Sequence, residues 1–188
     1  MGTRALAWSS RILGIIVATI ATSSWAADVH VSLRSSSNTV KPGSEFKVTL
    51  RCTEAGEPFN GYDATITWDP AALTFIPTSP SSLQEGNYMK NACGATFHWF
   101  QQNADNVRIG HSLWCQGVLL PGPGQLYVLR FQATGQAQTT QVALVAHEFY
   151  AAGYPVRSIL ESNATVTIDG TTGVASSTWS FVKSLYGE

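Results

Sequence analysis

The sequence predicts an all-β protein in which two antiparallel sheets pack face to face. Of its 188 residues, 44% are hydrophobic and only 12% are charged, against a usual charged share of about a quarter. The content of Gly, Pro, β-branched and aromatic residues favours strands and turns over long helices. The formal net charge of -1 provides no basic field for phosphates or an anionic membrane, so nucleic acid is not an expected partner.

Nine short segments with period-two alternation of apolar and polar residues are predicted as strands. They are residues 29–33, 46–52, 62–68, 73–76, 95–102, 106–114, 126–133, 142–150 and 164–168. In the third, the apolar row from Tyr62 to Trp68 faces inward, and Asp63, Thr65 and Thr67 face the opposite side. Because each strand has one apolar side to bury, the nine strands are expected to form a two-layered sandwich.

The first 26 residues have the pattern of a secretory signal. Arg4 and Arg11 form its positive end, residues 12–20 its apolar core, and residues 24–26 a small-x-small cleavage site. The alternative is an uncleaved membrane anchor, but an apolar run of about ten residues is too short for a span of roughly twenty. We therefore expect a mature chain that starts at Ala27 or Asp28, has no membrane span and is secreted to the extracellular space or cell surface.

The three cysteines are expected to include one disulfide, because export places them where disulfides persist. Residues 95–102 and 106–114 flank a polar run, 103–105, and are predicted to form a hairpin with a three-residue loop. That register places Trp99 opposite Ile109, and Cys93 opposite Cys115. We expect a bridge between Cys93 and Cys115, with Cys52 buried and reduced.

Three motifs occur in the order found in one known family. Residues 68–73, Trp-Asp-Pro-Ala-Ala-Leu, form an aromatic-Asp-Pro-x-x-Leu turn after the third strand. Residues 40–48 look like an opening turn and second strand, and residues 124–131 like a late Gly-x-x-x-x-hydrophobic-x-Phe strand. Over about residues 28–169, the sequence resembles the cohesin family, the receptor modules of cellulosome scaffolds.

The resemblance implies a nine-stranded antiparallel β-sandwich with jelly-roll-like topology and a non-catalytic binding role. Cohesins bind dockerin modules through the flat face of the sheet built from strands three, five, six and eight. Asp63 matches a place where cellulosomal cohesins carry a polar or acidic dockerin contact. The residues mapped onto this face are Asp63, Thr65 and Thr67 from strand three, His98 and Phe100 from strand five, and Arg108, Ser112 and Trp114 from strand six.

The predicted outward residues of the hairpin combine flat apolar area with polar groups. Phe100 and Trp114 beside His98 and Arg108 have the composition enriched at interface hot spots and at sugar-stacking platforms. Two alternatives stay open. In the first, the hairpin pairs one residue out of the predicted register, which exchanges its two faces. In the second, the loop at residues 77–90 covers either Phe100 or Trp114.

The sequence carries no signature of catalysis or of a cofactor. The four histidines are on separate predicted strands without metal-ligand spacing, so no metal site is predicted. Asp69 and Asp105 are explained by turns. His147 and Glu148 are adjacent on one strand and therefore point to opposite faces, so they would not act as a catalytic pair.

We expect three segments: a signal peptide at residues 1–26, a cohesin-like sandwich at 27–169, and a tail at 170–188 with a flexible linker and a short amphipathic helix. The expected function is recognition of a dockerin-like or other protein partner, and the expected setting is a polysaccharide-degrading assembly. Two alternatives are a carbohydrate-binding module that stacks sugar rings on Phe100 and Trp114, and a structural cell-envelope component that uses the tail.

Overall fold

The computed structural model describes residues 28–170, which form twelve strands, one 3-10 turn and one short helix. These elements in chain order are β1 Val29–Ser35, β2 Thr39–Val40, β3 Glu45–Cys52, β4 Gly61–Thr67, β5 Leu73–Phe75, the 3-10 turn Ser81–Gln84, α1 Asn87–Ala92, β6 Thr96–Gln102, β7 Asn106–Leu113, β8 Gly124–Ala133, β9 Gln138–Ala151, β10 Tyr154–Val156, β11 Ser158–Ser162 and β12 Ala164–Ile168.

The strands form two sheets packed as a sandwich, so the predicted all-β fold is confirmed. One sheet has the order β11-β1-β3-β8-β5, and the other has the order β2-β12-β9-β4-β7-β6, with β10 paired to β9. All nine predicted segments are strands. The three additional strands, β2, β10 and β11, are too short or too polar to show a clear alternation, and the pairs β1–β11 and β2–β12 are parallel.

The core lies between the sheets and is built from the alternating apolar side chains of the strands. Tyr62, Ile66 and Trp68 are buried, as the inward row of the third predicted strand requires. The buried ring of Phe131 on β8 lies 5.3 Å from that of Trp68 and 5.6 Å from that of Phe75, centroid to centroid. Burial of each such ring stabilises the fold by roughly 1.5–3 kcal/mol.

Asp69 holds the turn that follows β4. Its carboxylate accepts the N–H of Ala71 at 2.9 Å, and its carbonyl accepts the N–H of Leu73 at 2.9 Å. A carboxylate in this position satisfies a backbone donor that would otherwise lack a partner. The prediction that Asp69 serves a turn is confirmed, and the turn returns the chain to the core at β5.

The β6–β7 hairpin has a two-residue loop instead of the predicted three-residue loop. The N–H of Asn103 donates to the carbonyl of Asn106 at 2.8 Å, which leaves residues 104–105 in the turn. Trp99 therefore lies opposite Gly110. The predicted register is wrong by one residue, because the length of the turn fixes which residues pair across a hairpin.

This shift turns every side chain of β6 to the other face of the sheet. Phe100 lies opposite Ile109 and its ring packs 6.1 Å from Phe75 and 6.2 Å from Tyr127, centroid to centroid. His98 lies 3.1 Å from the hydroxyl of Tyr127. The prediction that His98 and Phe100 face outward is wrong, whereas the predicted faces of β7 are correct.

Cys93 and Cys115 form a disulfide bond, as predicted, with their Cα atoms 5.9 Å apart. Both cysteines lie beyond the paired residues of the hairpin, so the bridge forms in spite of the shifted register. Cys52 is reduced and buried. Burial raises the pKa of the Cys52 thiol to about 12, so this thiol is protonated near neutral pH.

Two predicted segments lie outside the described residues: the signal peptide at residues 1–26 and the tail after residue 170. Between residues 28 and 170, no helix has the length and apolarity that a bilayer crossing requires.

Candidate binding face

Four neighbouring strands, in the order β9-β4-β7-β6, form a continuous surface on one side of the sandwich. They correspond to predicted strands eight, three, six and five, so the arrangement implied by the family resemblance is confirmed. We call their solvent side the front face. Asp63 lies at its centre, between Glu148 on β9 and Gly110 on β7. Thr65 lies one pleat further along, between Ala146 and Arg108, and Thr67, Ser112 and Trp114 complete the predicted residues that point to this side.

Trp99 lies across the middle of the front face. A Cβ atom on Gly110 would collide with the Trp99 indole, so the ring lies against the backbone of β7 at the residue that has no side chain. The Arg108 guanidinium carbon is 5.6 Å from the centroid of the Trp99 ring, which is a cation–π distance. The predicted register, with Trp99 opposite the inward-facing Ile109, would have turned the indole to the interior and is wrong. The signal for its true position was Gly110, because a glycine within a strand often marks a close approach of another group.

Phe97 and Trp114 form an exposed aromatic pair at one end of the front face. Their ring centroids are 6.1 Å apart and their planes differ by 9°. Phe97 is 45% exposed and Trp114 is 71% exposed. The loop at residues 77–90 therefore leaves Trp114 accessible, and a flat apolar surface of two stacked rings is available to a partner.

Acidic groups extend from the centre of the front face to β9, at the border opposite β6. The hydroxyl of Tyr150 donates a hydrogen bond to the Glu148 carboxylate. This hydrogen bond, with the nearby negative charge of Glu148 and Asp63, raises the pKa of Tyr150 to about 12. The phenol therefore remains protonated and holds Glu148 in place next to Asp63, so two carboxylates are presented on adjacent strands.

Two shallow depressions lie on either side of Trp99. One, of about 350 Å³, is lined by Asp63, Trp99, Phe97 and Tyr150 among others. The other, of about 130 Å³, is lined by Asp63, Trp99, Arg108 and Glu148 among others. Both are open to solvent, and each combines an aromatic wall with charged or hydroxyl groups. Such a surface suits the side chains of a docked protein better than an enclosed small molecule.

His98 belongs to a polar cluster beneath the hairpin and not to the front face. The buried Glu85 carboxylate lies 3.0 Å from Nε2 of His111 and 3.9 Å from Nδ1 of His98. It also accepts a hydrogen bond from Thr96 at 3.3 Å. Burial, together with the charges of His98 and Lys90, lowers the pKa of His111 to about 4. The His111 and Glu85 side chains are 0% and 2% exposed, so neither can touch a substrate.

His147 and Glu148 point to opposite sides of β9, as predicted. The His147 imidazole lies 2.7 Å from the Ser158 hydroxyl, on the inner side of the strand, whereas Glu148 contacts Tyr150 on the front face. Burial lowers the pKa of His147. The two side chains therefore do not form a pair.

One group of potential metal ligands was not evident from the sequence. Nδ1 of His30 lies 3.1 Å from Glu161, and its Nε2 lies 3.4 Å from Glu54. These residues come from three separate segments, so no local spacing could have indicated them. Two carboxylates that flank one imidazole also form an ordinary ion-pair cluster at a protein surface.

Comparisons with known proteins agree with this fold. The family model described as the cohesin domain matches residues 29–179. A non-cellulosomal cohesin from the hyperthermophilic archaeon Archaeoglobus fulgidus is 16% identical, with a TM-score of 0.58 over 76% of this chain and 94% of that one. CaCohA2 from Clostridium acetobutylicum is 14% identical, with a TM-score of 0.62 over 78% of this chain and 94% of that one. No curated protein matches the sequence.

A further similar structure is a complex of a type II cohesin with an X-dockerin from Acetivibrio cellulolyticus. It is 15% identical, with a TM-score of 0.63 over 74% of this chain and 99% of that one. The two-sheet sandwich and its continuous four-strand face define a β-sandwich module of the cohesin type. Since the family model spans most of the sequence, the chain belongs to the cohesin domain family.

Proposed function

We propose that this cohesin module is a secreted, non-catalytic protein-binding module that recognises a dockerin-like partner through its front face. The observation that carries the proposal is the position of Trp99. Its indole lies on the outer surface of four contiguous strands, flanked by two depressions and contacted by Arg108. A large aromatic group at the centre of a flat polar face is a common anchor in protein interfaces.

The front face divides into an apolar part and a polar part. Phe97 and Trp114 supply apolar area that a partner helix would cover. Asp63, Glu148 and Arg108 supply charges that would select the partner's orientation. Once the aromatic rings are covered, charged contacts at the border of the interface are less exposed to water and therefore discriminate better among partners.

Two solved structures support a protein partner over other ligands. The similar cohesin from Acetivibrio cellulolyticus was determined with an X-dockerin. CaCohA2 was also determined in a complex with CaDoc0917, and that structure is 13% identical to this chain, with a TM-score of 0.56. We extend dockerin recognition to this chain, and we place it outside the cell in a polysaccharide-degrading assembly. The signal-like residues 1–26 and the disulfide between Cys93 and Cys115 support export.

The proposed site keeps six of the residues expected from the sequence and replaces two. Phe97 and Trp99 take the place of His98 and Phe100, because β6 presents the former pair to solvent. The proposed binding residues are Asp63, Thr65, Thr67, Arg108, Ser112 and Trp114, together with Phe97 and Trp99.

Calorimetric titration of the purified full chain with dockerin modules encoded by its host tests the proposal. We expect binding by at least one dockerin, and we expect Trp99→Ala and Trp114→Ala to weaken it at least tenfold, as is usual for aromatic anchors. Leu83→Ala is the matched control, because Leu83 is an exposed apolar residue outside the front face. The proposal would be overturned if no dockerin bound, or if both tryptophan variants bound like the Leu83 control.

A parallel titration with cellulose and other neutral polysaccharides separates protein recognition from sugar stacking. The proposed function predicts no saturable polysaccharide binding on the front face. Polysaccharide binding that is lost in Trp114→Ala would instead assign the aromatic pair to a carbohydrate, and it would replace the protein partner in this proposal.

A further inference from the structure

The opposite side of the sandwich carries a concentration of positive charge. We call the solvent side of β1, β3 and β8 the back face. Residues 28–170 contain eight Lys and Arg against eleven Asp and Glu, so this part of the chain is net negative. Nevertheless, four of the eight cations lie on the back face: Arg34, Lys47, Arg51 and Arg130. The three strands contribute a single carboxylate to it, Glu45, which pairs with Arg130.

A groove of about 510 Å³ lies between two of these arginines. Arg34 pairs with Thr49 across the β1–β3 ladder, and Arg51 pairs with Ser32. Arg34 and Arg51 are therefore diagonal neighbours on the same face, a relationship that places Cβ atoms about 7–8 Å apart. Two long side chains on such positions can direct both guanidinium groups at one bound group between them.

The other groups that line the groove are polar and uncharged. They are Ser35, Ser36, Thr49 and Gln125, with Pro123 and Gly124 at one end. No carboxylate within residues 28–170 comes within ion-pair distance of the Arg34 or Arg51 guanidinium. The Ser35 hydroxyl already donates to the Ser37 carbonyl at 2.6 Å, so the groove offers two unpaired cations and the hydroxyl or amide donors of Ser36, Thr49 and Gln125, which is the donor set that an oxyanion requires.

The back face places positively charged side chains next to one another. Lys47 lies directly opposite Arg130 on the neighbouring strand, and like charges in such a pair destabilise a sheet. Arg34 and Arg51 repeat the conflict on the diagonal. Glu45 compensates Arg130, but no ion pair in residues 28–170 compensates Arg34 or Arg51, and a local rule of sheet design that is broken in this way commonly marks a functional surface.

We propose that the groove between Arg34 and Arg51 binds an oxyanion: a phosphate, sulfate or carboxylate group. Each guanidinium would donate two parallel hydrogen bonds to the anion, and the Thr49 hydroxyl would contribute another. The source is either a free inorganic dianion or the same chemistry carried on an acidic polysaccharide, since the groove is larger than one such group. The back face and the front face belong to different sheets, so the anion and a protein partner would bind at the same time.

Titration of the full chain with sodium sulfate and sodium phosphate tests the site, with sodium chloride at matched ionic strength as the reference. We expect amide resonances of Ser35, Thr49 and Gln125 to shift on addition of either dianion but not of chloride. We also expect both dianions to raise the melting temperature more than chloride does. Dianions that act no differently from chloride would overturn the proposal.

Substitutions test whether the two arginines are responsible for dianion binding. Arg34→Gln and Arg51→Gln should each weaken dianion binding at least tenfold, and Arg51→Lys should weaken it less, because it keeps the charge but loses the planar donor pair. Arg157→Gln is the matched control: it removes the same charge from an 84% exposed side chain outside the groove. Equal losses in all three glutamine variants would show non-specific charge attraction and overturn the proposal.

A polygalacturonate titration distinguishes the two sources of the anion. If polygalacturonate binds the wild type, competes with sulfate and fails to bind Arg34→Gln, the ligand is an acidic polysaccharide. If only the inorganic dianions bind in an arginine-dependent manner, the site is one for a free anion. Polygalacturonate binding that is unaffected by sulfate and by both glutamine variants would place that polymer elsewhere and contradict its assignment to this groove.

Discussion

The indole of Trp99 lies against the backbone of Gly110, at a position where any larger residue would displace it. Gly110→Ala is therefore expected to lower the free energy of unfolding by about 1 kcal/mol relative to Gly135→Ala, since it disturbs the ring and its contact with Arg108. Gly135 is the control because a Cβ there meets no atom within 4 Å. Urea denaturation measures both values.

A double-mutant cycle assigns this loss to the ring. In a Trp99→Leu background, the difference between the Gly110 and Gly135 variants should disappear, because the displaced group is already absent. A difference that persists in that background would mean that Gly110 is required for another reason.

The core aromatic cluster should be far more sensitive to truncation than the front face. Phe131 is fully buried and its ring contacts those of Trp68, Phe75 and Phe46. Phe131→Ala is expected to reduce the free energy of unfolding by about 3–5 kcal/mol, through lost transfer energy and the cavity left behind. Phe97→Ala, at a 45% exposed site, should cost less than about 1 kcal/mol. Similar losses at the two positions would contradict the assigned faces of β6 and β8.

The disulfide between Cys93 and Cys115 should be a substantial source of stability. It joins two residues that are 22 positions apart in the sequence, and the chain-entropy model gives about 3 kcal/mol for a loop of this size. Cys93→Ser combined with Cys115→Ser should lower the unfolding free energy by that order. Reduction with dithiothreitol should destabilise the wild type but not the double variant. An effect of the reductant on the double variant would point to another disulfide.

Because His111 is buried, the free energy of unfolding is expected to fall in mild acid. Its pKa is lowered from 6.5 to about 4 in the folded state, so between these values the unfolded chain binds a proton that the folded protein does not. Stability is therefore fully present above about pH 6.5 and is lost as pH falls through about 4. The loss should reach roughly 3 kcal/mol once the pH has fallen to about 4, at about 1.4 kcal/mol for each unit by which the pKa is lowered.

Denaturation curves at pH 7 and pH 4.5 test this dependence. His111→Gln should flatten it, and His98 should account for part of the remainder because burial also lowers its pKa. His30→Gln is the control, since His30 lies at the surface between Glu54 and Glu161. If the His111 variant retained the full wild-type slope, the proton responsible would be elsewhere.

The strands and the core could be predicted from the sequence because their signal is local. Alternation of apolar and polar residues identifies a strand and its buried side. This is why the prediction that the row from Tyr62 to Trp68 faces inward was correct. The same signal does not determine which side of β6 faces solvent. Thr96, His98 and Phe100 on one side, and Phe97, Trp99 and Gln101 on the other, contain similar numbers of aromatic rings, so hydrophobicity does not choose between them.

Contacts between side chains that only the tertiary fold brings together could also not be predicted from the sequence. Glu85 lies in a loop, yet the packing of that loop against β8 brings it to His111 and His98 on the hairpin. Arg34 and Arg51 are 17 positions apart in the sequence, and only the register of β1 against β3 makes them neighbours. The sequence therefore indicated the type of fold and the sheet that we propose as the binding surface, but not the full set of side chains presented there.

The brevity of the turn at residues 104–105 bears on how recognition evolves in this protein. Insertion of one codon at that turn would move the pairing of β6 by a single step and present His98 and Phe100 where Phe97 and Trp99 now stand. One small genetic event could thus exchange the side chains that a whole strand presents to solvent, and it would remove Phe100 from its packing against Phe75 and Tyr127. A single insertion would therefore offer a partner a different set of side chains in one step, without a series of intermediate surfaces.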